Sequence, residues 1–209
     1  MKERPWHRTK RPEYRETIET THLRLVPQTW LGGLQLKLKL GKDRTARELM
    51  YGQNYKTSAW RTFRRYLLQH QAPNGCSRHT HAIINKADGA LIGYHQIGLH
   101  NHRKSTLTIV MLRRDESVRG FAKEARTALL RHFVTVAGVE IFVGEVNTRN
   151  FASVQLYNQL GFQRAGVWHN MDFDPKSGRV RDSFVFELRG EALETFMKTS
   201  DPQAASEGQ

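Results

Sequence analysis

Cysteine is nearly absent: Cys76 is the one thiol in 209 residues, so an internal disulfide is excluded and a reducing compartment is compatible. No apolar run is long enough to cross a membrane. Met1 to Arg11 have charges with no apolar core behind them, so they do not read as a secretory signal. These observations point to a cytoplasmic protein. Acidic residues are also scarce, with 20 Asp and Glu against 33 Lys and Arg, a formal net charge of +13 and a sequence pI near 10.2. That surplus favours polyanions and acidic surfaces as partners, RNA or a ribosome among them, and says nothing about fold. A basic surface that binds nothing is the plain alternative. The apolar fraction of 38% is low, yet hydrophobic runs extend from Leu23 to Phe186, enough for one domain with a core.

Residues 1–20 are polar, basic and broken by Pro5 and Pro12, and read as an arm. A domain is expected over 21–198, followed by a polar tail at 199–209. Thr21 to Val26 alternates as a first strand. Leu31 to Leu40 fits a strand by alternation and a helix by composition. Asp43 to Tyr51 and Lys56 to Gln69 read as helices, the second with Trp60, Phe63 and Leu67 on one side and Arg61, Arg64 and Arg65 around it. Thr80 to Ile84 and Ala90 to Gly98 flank Asp88-Gly89 as a hairpin. The pairs His79/His81 and His100/His102 each share a strand face, but no Cys, Asp or Glu cluster joins them as a metal site would require. A last pair of strands, Gln163 to Trp168 and Arg181 to Leu188, precedes a short helix over Glu191 to Lys198.

The chain is organised around Ser105 to Phe162. Ser105 to Leu112 alternates and is rich in β-branched residues, so it reads as a strand. After the polar turn Arg113 to Val118 the period changes: Phe121, Ala125, Leu129, Phe133 and Val136 lie on one helical face. Gly120 stands at the strand-to-helix turn, where a missing side chain lets an anion approach the first free N–H groups. Many such units need that glycine merely to pack. A second strand, Ile141 to Val146, leads into a helix opened by Asn150.

Ser117-Val-Arg-Gly-Phe-Ala122 resembles the acyl-CoA signature of the GNAT superfamily of N-acetyltransferases, departing from it at Ser117, where Gln or Arg is usual. Glu145-Val-Asn-Thr-Arg-Asn150, with Leu156-Tyr157 and Leu160-Gly-Phe162, is similar to RimI-type members, and Asn150-Phe-Ala-Ser153 to the RimJ/RimL branch. Together these motifs span roughly the central third of the chain.

The resemblance implies an α/β fold, a mixed and mostly antiparallel sheet whose central strands splay at a bulge, with helices on both faces. It implies acetyl-CoA as co-substrate and no metal. Val110, Met111 and Leu112 would bond pantetheine through their backbone, as an added strand does. The turn Val118, Arg119, Gly120, Phe121, Ala122 and Lys123 would receive the pyrophosphate. Glu145 would act as general base in a partly desolvated gap, and Tyr157 as general acid toward the leaving thiolate. Asn150 and Ser153 would contact CoA, Asn150 alternatively serving only as a helix cap and Ser153 alternatively taking the place of Tyr157 in a RimL-like arrangement. The implied reaction is N-acetylation of a primary amine, on a protein N-terminus of the ribosomal kind. Aminoacyl-tRNA, as in toxin members, is an alternative acceptor. A small-molecule amine such as an antibiotic comes after these, and a non-catalytic nucleic-acid-binding protein of the same fold is a rival of another class. No membrane association is expected, and the assembly is a monomer or homodimer.

Overall fold

The computed structural model of the chain describes residues 15–29, 31–32, 35, 38, 77–100, 103–113, 115–174 and 179–200. Eight strands form one sheet in the order β1-β2-β3-β4-β5-β6-β8-β7. They are β1 (Ile18–Glu19), β2 (Leu23–Pro27), β3 (Ser77–Asn85), β4 (Leu91–Leu99), β5 (Lys104–Met111), β6 (Ile141–Asn147), β7 (Gln163–Asp174) and β8 (Arg179–Arg189). Every neighbouring pair is antiparallel except β5 and β6, which run parallel. That exception follows from their connection: helix α1 (Phe121–Ala137) carries the chain back across the sheet, as a parallel pair requires. Two further helices follow, α2 (Phe151–Gln159) and α3 (Gly190–Thr199).

The main core lies on the face covered by these three helices. Leu23 and Leu25 of β2, Ile83 of β3, Ile97 of β4, Leu107 of β5, Phe142 of β6 and Phe186 of β8 project there. They meet Ala125, Leu129 and Phe133 of α1, Tyr157 of α2, and Leu193 and Phe196 of α3. Of the stripe expected from helical spacing, Ala125, Leu129 and Phe133 are buried and Phe121 and Val136 partly so, while Arg126 and Leu130 are buried beside it. On the opposite face Ala82, Tyr94 and Val110 form a smaller cluster. The described positions between 31 and 38 are helical. Gln28, Gly32 and Gln35 line a cavity of about 220 Å³ with Val26, Ala82, Ile84 and Leu91 on that second face.

The domain begins earlier than the expected arm allows. Ile18 and Glu19, counted with the arm, pair with Leu25 and Arg24 of β2. The helical positions settle the ambiguity of Leu31 to Leu40 where they are described. Residues 1–14 of the arm, the helices expected over 43–51 and 56–69, Cys76, His102 and the last nine residues lie outside the described residues. The hairpin turn is as expected: Gly89 has φ 67°, a left-handed conformation natural to glycine. The last two strands run longer than their apolar alternation suggests, to Asp174 and from Arg179.

Candidate active site

The site is an opening between two strands. β5 and β6 pair from Lys104↔Ile141 to Leu107↔Gly144 and no further. Beyond that point β5 continues to Met111 and β6 to Asn147, each without the other. β5 keeps an unbroken register with β4 throughout, so the parting involves no bulge on β5. The register shift on this side of the sheet falls between Ile83 and Ile84, one strand further away.

Strand alternation decides which backbone groups face the opening. The Leu112 N–H donates to the Ile92 carbonyl at 2.8 Å, and so is turned toward β4. N–H and C=O directions alternate along a strand. Val110 therefore also addresses β4, whereas Met111 and Ile109 present their polar backbone toward the unpaired side. Of the three residues expected to hold pantetheine, Met111 alone turns its polar backbone toward the opening, and Ile109 does the same. The sequence motif marks the strand without marking its parity.

Past the end of β5, Arg113 ties the turn down, donating to Asp88 at 2.8 Å and to Asp115 at 2.6 Å. Asp115 caps a 3-10 turn over Glu116–Val118, accepting from the Ser117 N–H at 3.1 Å and from the Ser117 hydroxyl. Ser117, where the signature departs from the family's pattern, thus serves the turn itself. Val118 is buried and anchors it, while Arg119 and Lys123 are exposed. Gly120 has φ 85° and caps α1. A Cβ there would meet nothing within 4 Å, so the conformation, not crowding, calls for glycine. The N–H groups of Gly120, Phe121 and Ala122 precede the first full helical turn and have no intrahelical acceptor.

The start of α1 is fixed by the segment between β1 and β2. Glu124 accepts from the Thr20 hydroxyl at 2.5 Å and from the His22 N–H at 2.8 Å, and its other oxygen meets His22 Nδ1 at 2.9 Å. The His22 ring stacks on Phe121 at 5.5 Å. Burial pushes the Glu124 carboxyl up, but the hydrogen bonds from Thr20 and His22 prevail and hold it below the ordinary value.

Tyr157 and Glu145 flank the opening from opposite faces. Tyr157 is 2% exposed, stacked on Phe186 at 5.0 Å and edge-on to Phe162 at 4.9 Å. Its hydroxyl lies against Gly144, the last residue of β6 that pairs with β5. Glu145, the next residue, alternates to the other face and is exposed. The expectation of a partly desolvated carboxylate is therefore corrected: Phe142, Gly144 and Val146 take the buried side, and Glu145 takes the solvent side. Asn150 is a helix cap, its side-chain oxygen accepting from the Ser153 N–H at 3.2 Å.

The described histidines of the two pairs have other neighbours. His79 and His81 pack against Phe133 at 5.7 and 6.0 Å, His81 being fully buried. His100 meets the Thr106 hydroxyl at 3.0 Å. Among the described residues no group of three His, Cys, Asp or Glu is placed to hold a metal. Burial first, then repulsion by Arg15, lowers His79 to about 4, and burial first, then His79 and His132, lowers His81 to about 3.

An unpaired strand edge ending in a turn of free N–H groups is a cradle for an extended ligand with an anionic end. Its free backbone groups and left-handed glycine fit pantetheine and pyrophosphate, and define an acyl-CoA-using transferase. Residues 34–163 match the acetyltransferase (GNAT) domain, and the chain belongs to that family. It is an acetyl-CoA-dependent acetyltransferase acting on an amine-bearing acceptor. No curated protein sequence matches. Among solved structures, the spermidine N-acetyltransferase of Vibrio cholerae in complex with CoA and spermine is 18% identical, with a TM-score of 0.67, covering 83% of this chain and 99% of its own. A GCN5-related N-acetyltransferase from Brucella melitensis is 18% identical, with a TM-score of 0.64 over 90% of this chain and 87% of its own. The acetyltransferase (GNAT family) from Bacillus anthracis is 12% identical, with a TM-score of 0.63 over 83% and 98%. At these identities the likeness is one of fold.

Proposed function

We propose that the chain acetylates the α-amino group of a protein N-terminus, as RimI-, RimJ- and RimL-type members do, with Glu145 as general base and Tyr157 as general acid. The observation that carries the chemistry is the parting of β5 and β6 beyond Leu107↔Gly144, with the Tyr157 hydroxyl at its apex. Met111 and Ile109 hold the pantetheine arm through their backbone, and the turn at Gly120 receives the pyrophosphate. Arg119 and Lys123 add charge at that turn, and Asn150 and Ser153 border the opening.

The two flanking residues suit the two proton transfers. Glu145, on the exposed face, takes a proton from the incoming ammonium, directly or through water. The neutral amine attacks the thioester carbonyl, a C–N bond forms and the C–S bond breaks. Tyr157, from the buried face, gives its proton to the departing sulfur. The proton that the acylated nitrogen must still lose restores the phenol through water, and the proton on Glu145 is released to solvent.

The acceptor is argued from charge. A chain carrying +13 repels polycations such as spermine and attracts partners rich in phosphate or carboxylate. Nascent or ribosomal proteins on RNA fit that preference. Lys2, Arg4, Arg8, Lys10 and Arg11, with Trp6 and His7 among them, have the mix of cations and rings that suits RNA, although they lie outside the described residues. The same feature favours aminoacyl-tRNA as the second acceptor.

The test is acetyl transfer from acetyl-CoA to N-terminal peptides, aminoacyl-tRNA and spermine by purified protein. Tyr157→Phe and Glu145→Gln are expected to lower kcat about 100-fold or more on the true acceptor. Full kcat in both variants removes the two role assignments, and preference for spermine removes the acceptor class. Deleting residues 1–12 is expected to weaken association with ribosomes or tRNA at low salt while leaving acetyl-CoA affinity intact.

A further inference from the structure

Arg126 is a charged residue in the core. It lies on α1, is 1% exposed, and sits among the largest fully buried side chains of the molecule. Arginine remains protonated even here. Yet the described residues offer it no carboxylate, and its Nη1 has no hydrogen-bond partner among them. Its two contacts are specific. Nε donates to His95 Nε2 at 3.3 Å, and the guanidinium carbon stands 4.5 Å from the centre of the Tyr157 ring.

We propose that Arg126 is a positioning residue for Tyr157, fixing the phenol at the opening between β5 and β6 and holding a permanent positive charge beside it during acetyl transfer. This rests on the reading of Tyr157 as the general acid. A guanidinium over a ring face is attracted to its π-electrons, and the attraction grows when both are removed from water. As Tyr157 gives its proton to sulfur, negative charge appears on the phenol and is met by a cation already in place. Such preorganised charge acts without reorganisation at the moment of reaction.

His95 explains how the guanidinium is aimed. Burial first, then the charge of Arg126 and the neighbouring His81, holds His95 well below the ordinary imidazole range. It is therefore neutral, and its Nε2 accepts from Arg126 with the proton on Nδ1. His95 and His81 face each other across β4 and β3, both fully buried. Neither supplies a countercharge. A buried, uncompensated cation is a poor device for stability, since an apolar side chain of similar volume packs in such a place at no electrostatic cost. Its neighbours point to a role in the site.

Three variants test this in the whole protein, with kcat, KM for acetyl-CoA and Tm read on each. Arg126→Leu and Arg126→Met are expected to keep or raise Tm and to lower kcat about 10- to 100-fold, with KM within about two-fold. Arg126→Lys, which keeps the charge, recovers most of that loss. In a Tyr157→Phe background, Arg126→Leu changes kcat by no more than about two-fold, because its action passes through the phenol. Unchanged kcat in both apolar variants, equal loss in the Lys and Leu variants, or full additivity with Tyr157→Phe would each overturn the proposal. Full kcat in Tyr157→Phe alone would instead remove the general-acid reading on which it rests.

Discussion

The hydroxyl of Tyr157 occupies the space a side chain on Gly144 would need: a Cβ built there overlaps the phenol oxygen and the ring carbon that bears it. The two residues define the apex of the opening, because Gly144 is also the last residue of β6 to pair with β5. Gly144→Ala must therefore push the ring aside or force the strands apart. The expected result is a loss of about 1–3 kcal/mol of stability from overpacking, with a fall in kcat larger than any change in KM for acetyl-CoA. Thermal melting and steady-state kinetics measure both.

Gly120 makes a different prediction, since open space surrounds it and its φ of 85° is the constraint. Gly120→Ala is expected to cost about 1–2 kcal/mol through the left-handed conformation. It should raise KM for acetyl-CoA with a smaller effect on kcat, because the turn binds and does no chemistry. Calorimetric titration with CoA gives the binding part directly.

Three histidines withdrawn from water, His79 partly and His81 and His95 fully, set the acid limit of stability. His79 at about 4, His81 at about 3 and His95, well lowered, stay neutral in the folded chain at pH values where the unfolded chain protonates them near 6.5. The unfolded state then binds more protons, so stability falls as pH drops from 6.5 toward 4. Each histidine contributes up to about 1.4 kcal/mol per pH unit in that window. His81→Phe is expected to flatten the dependence of Tm on pH between 6.5 and 4; an unchanged slope counts against a neutral His81.

Glu124 has the opposite origin and a lower window. Its folded value is depressed, so its contribution is complete above the unfolded value near 4.5 and fades as pH falls below that. Glu124→Gln is expected to lower Tm at pH 7 by releasing Thr20 and His22 from α1, and to differ less and less from the parent as pH falls below 4.5. Because the link fixes the start of α1, KM for acetyl-CoA should rise in the same variant.

Much of the fold is legible in the residues themselves. Alternation in Ser105 to Leu112, the helical stripe from Phe121 to Val136 and the Asp88-Gly89 bend each depend on neighbours within a few positions, and local geometry is what periodicity records. The strand–turn–helix with Gly120, and the helix opened by Asn150, are local in the same sense. Ile18 and Glu19 are not: two residues acquire strand character by pairing with β2, which no local pattern announces.

The active site is divided along the same line. Gly120 stands out as the glycine of a strand-to-helix turn, whereas Glu145 and Tyr157 are marked by their resemblance to the family's motifs. What each faces is long-range. Strand parity turns Leu112 toward β4 and gives the opening to Met111 and Ile109. The same parity puts Glu145 in solvent and Gly144 beneath Tyr157. Arg126 reads in sequence as one more cation on a helix of a basic chain. It is tertiary packing, bringing α1 and α2 onto one face of the sheet, that removes it from water and sets it against the phenol. A charge has meaning for catalysis only through its distance and its dielectric surroundings, and both are properties of the folded chain alone.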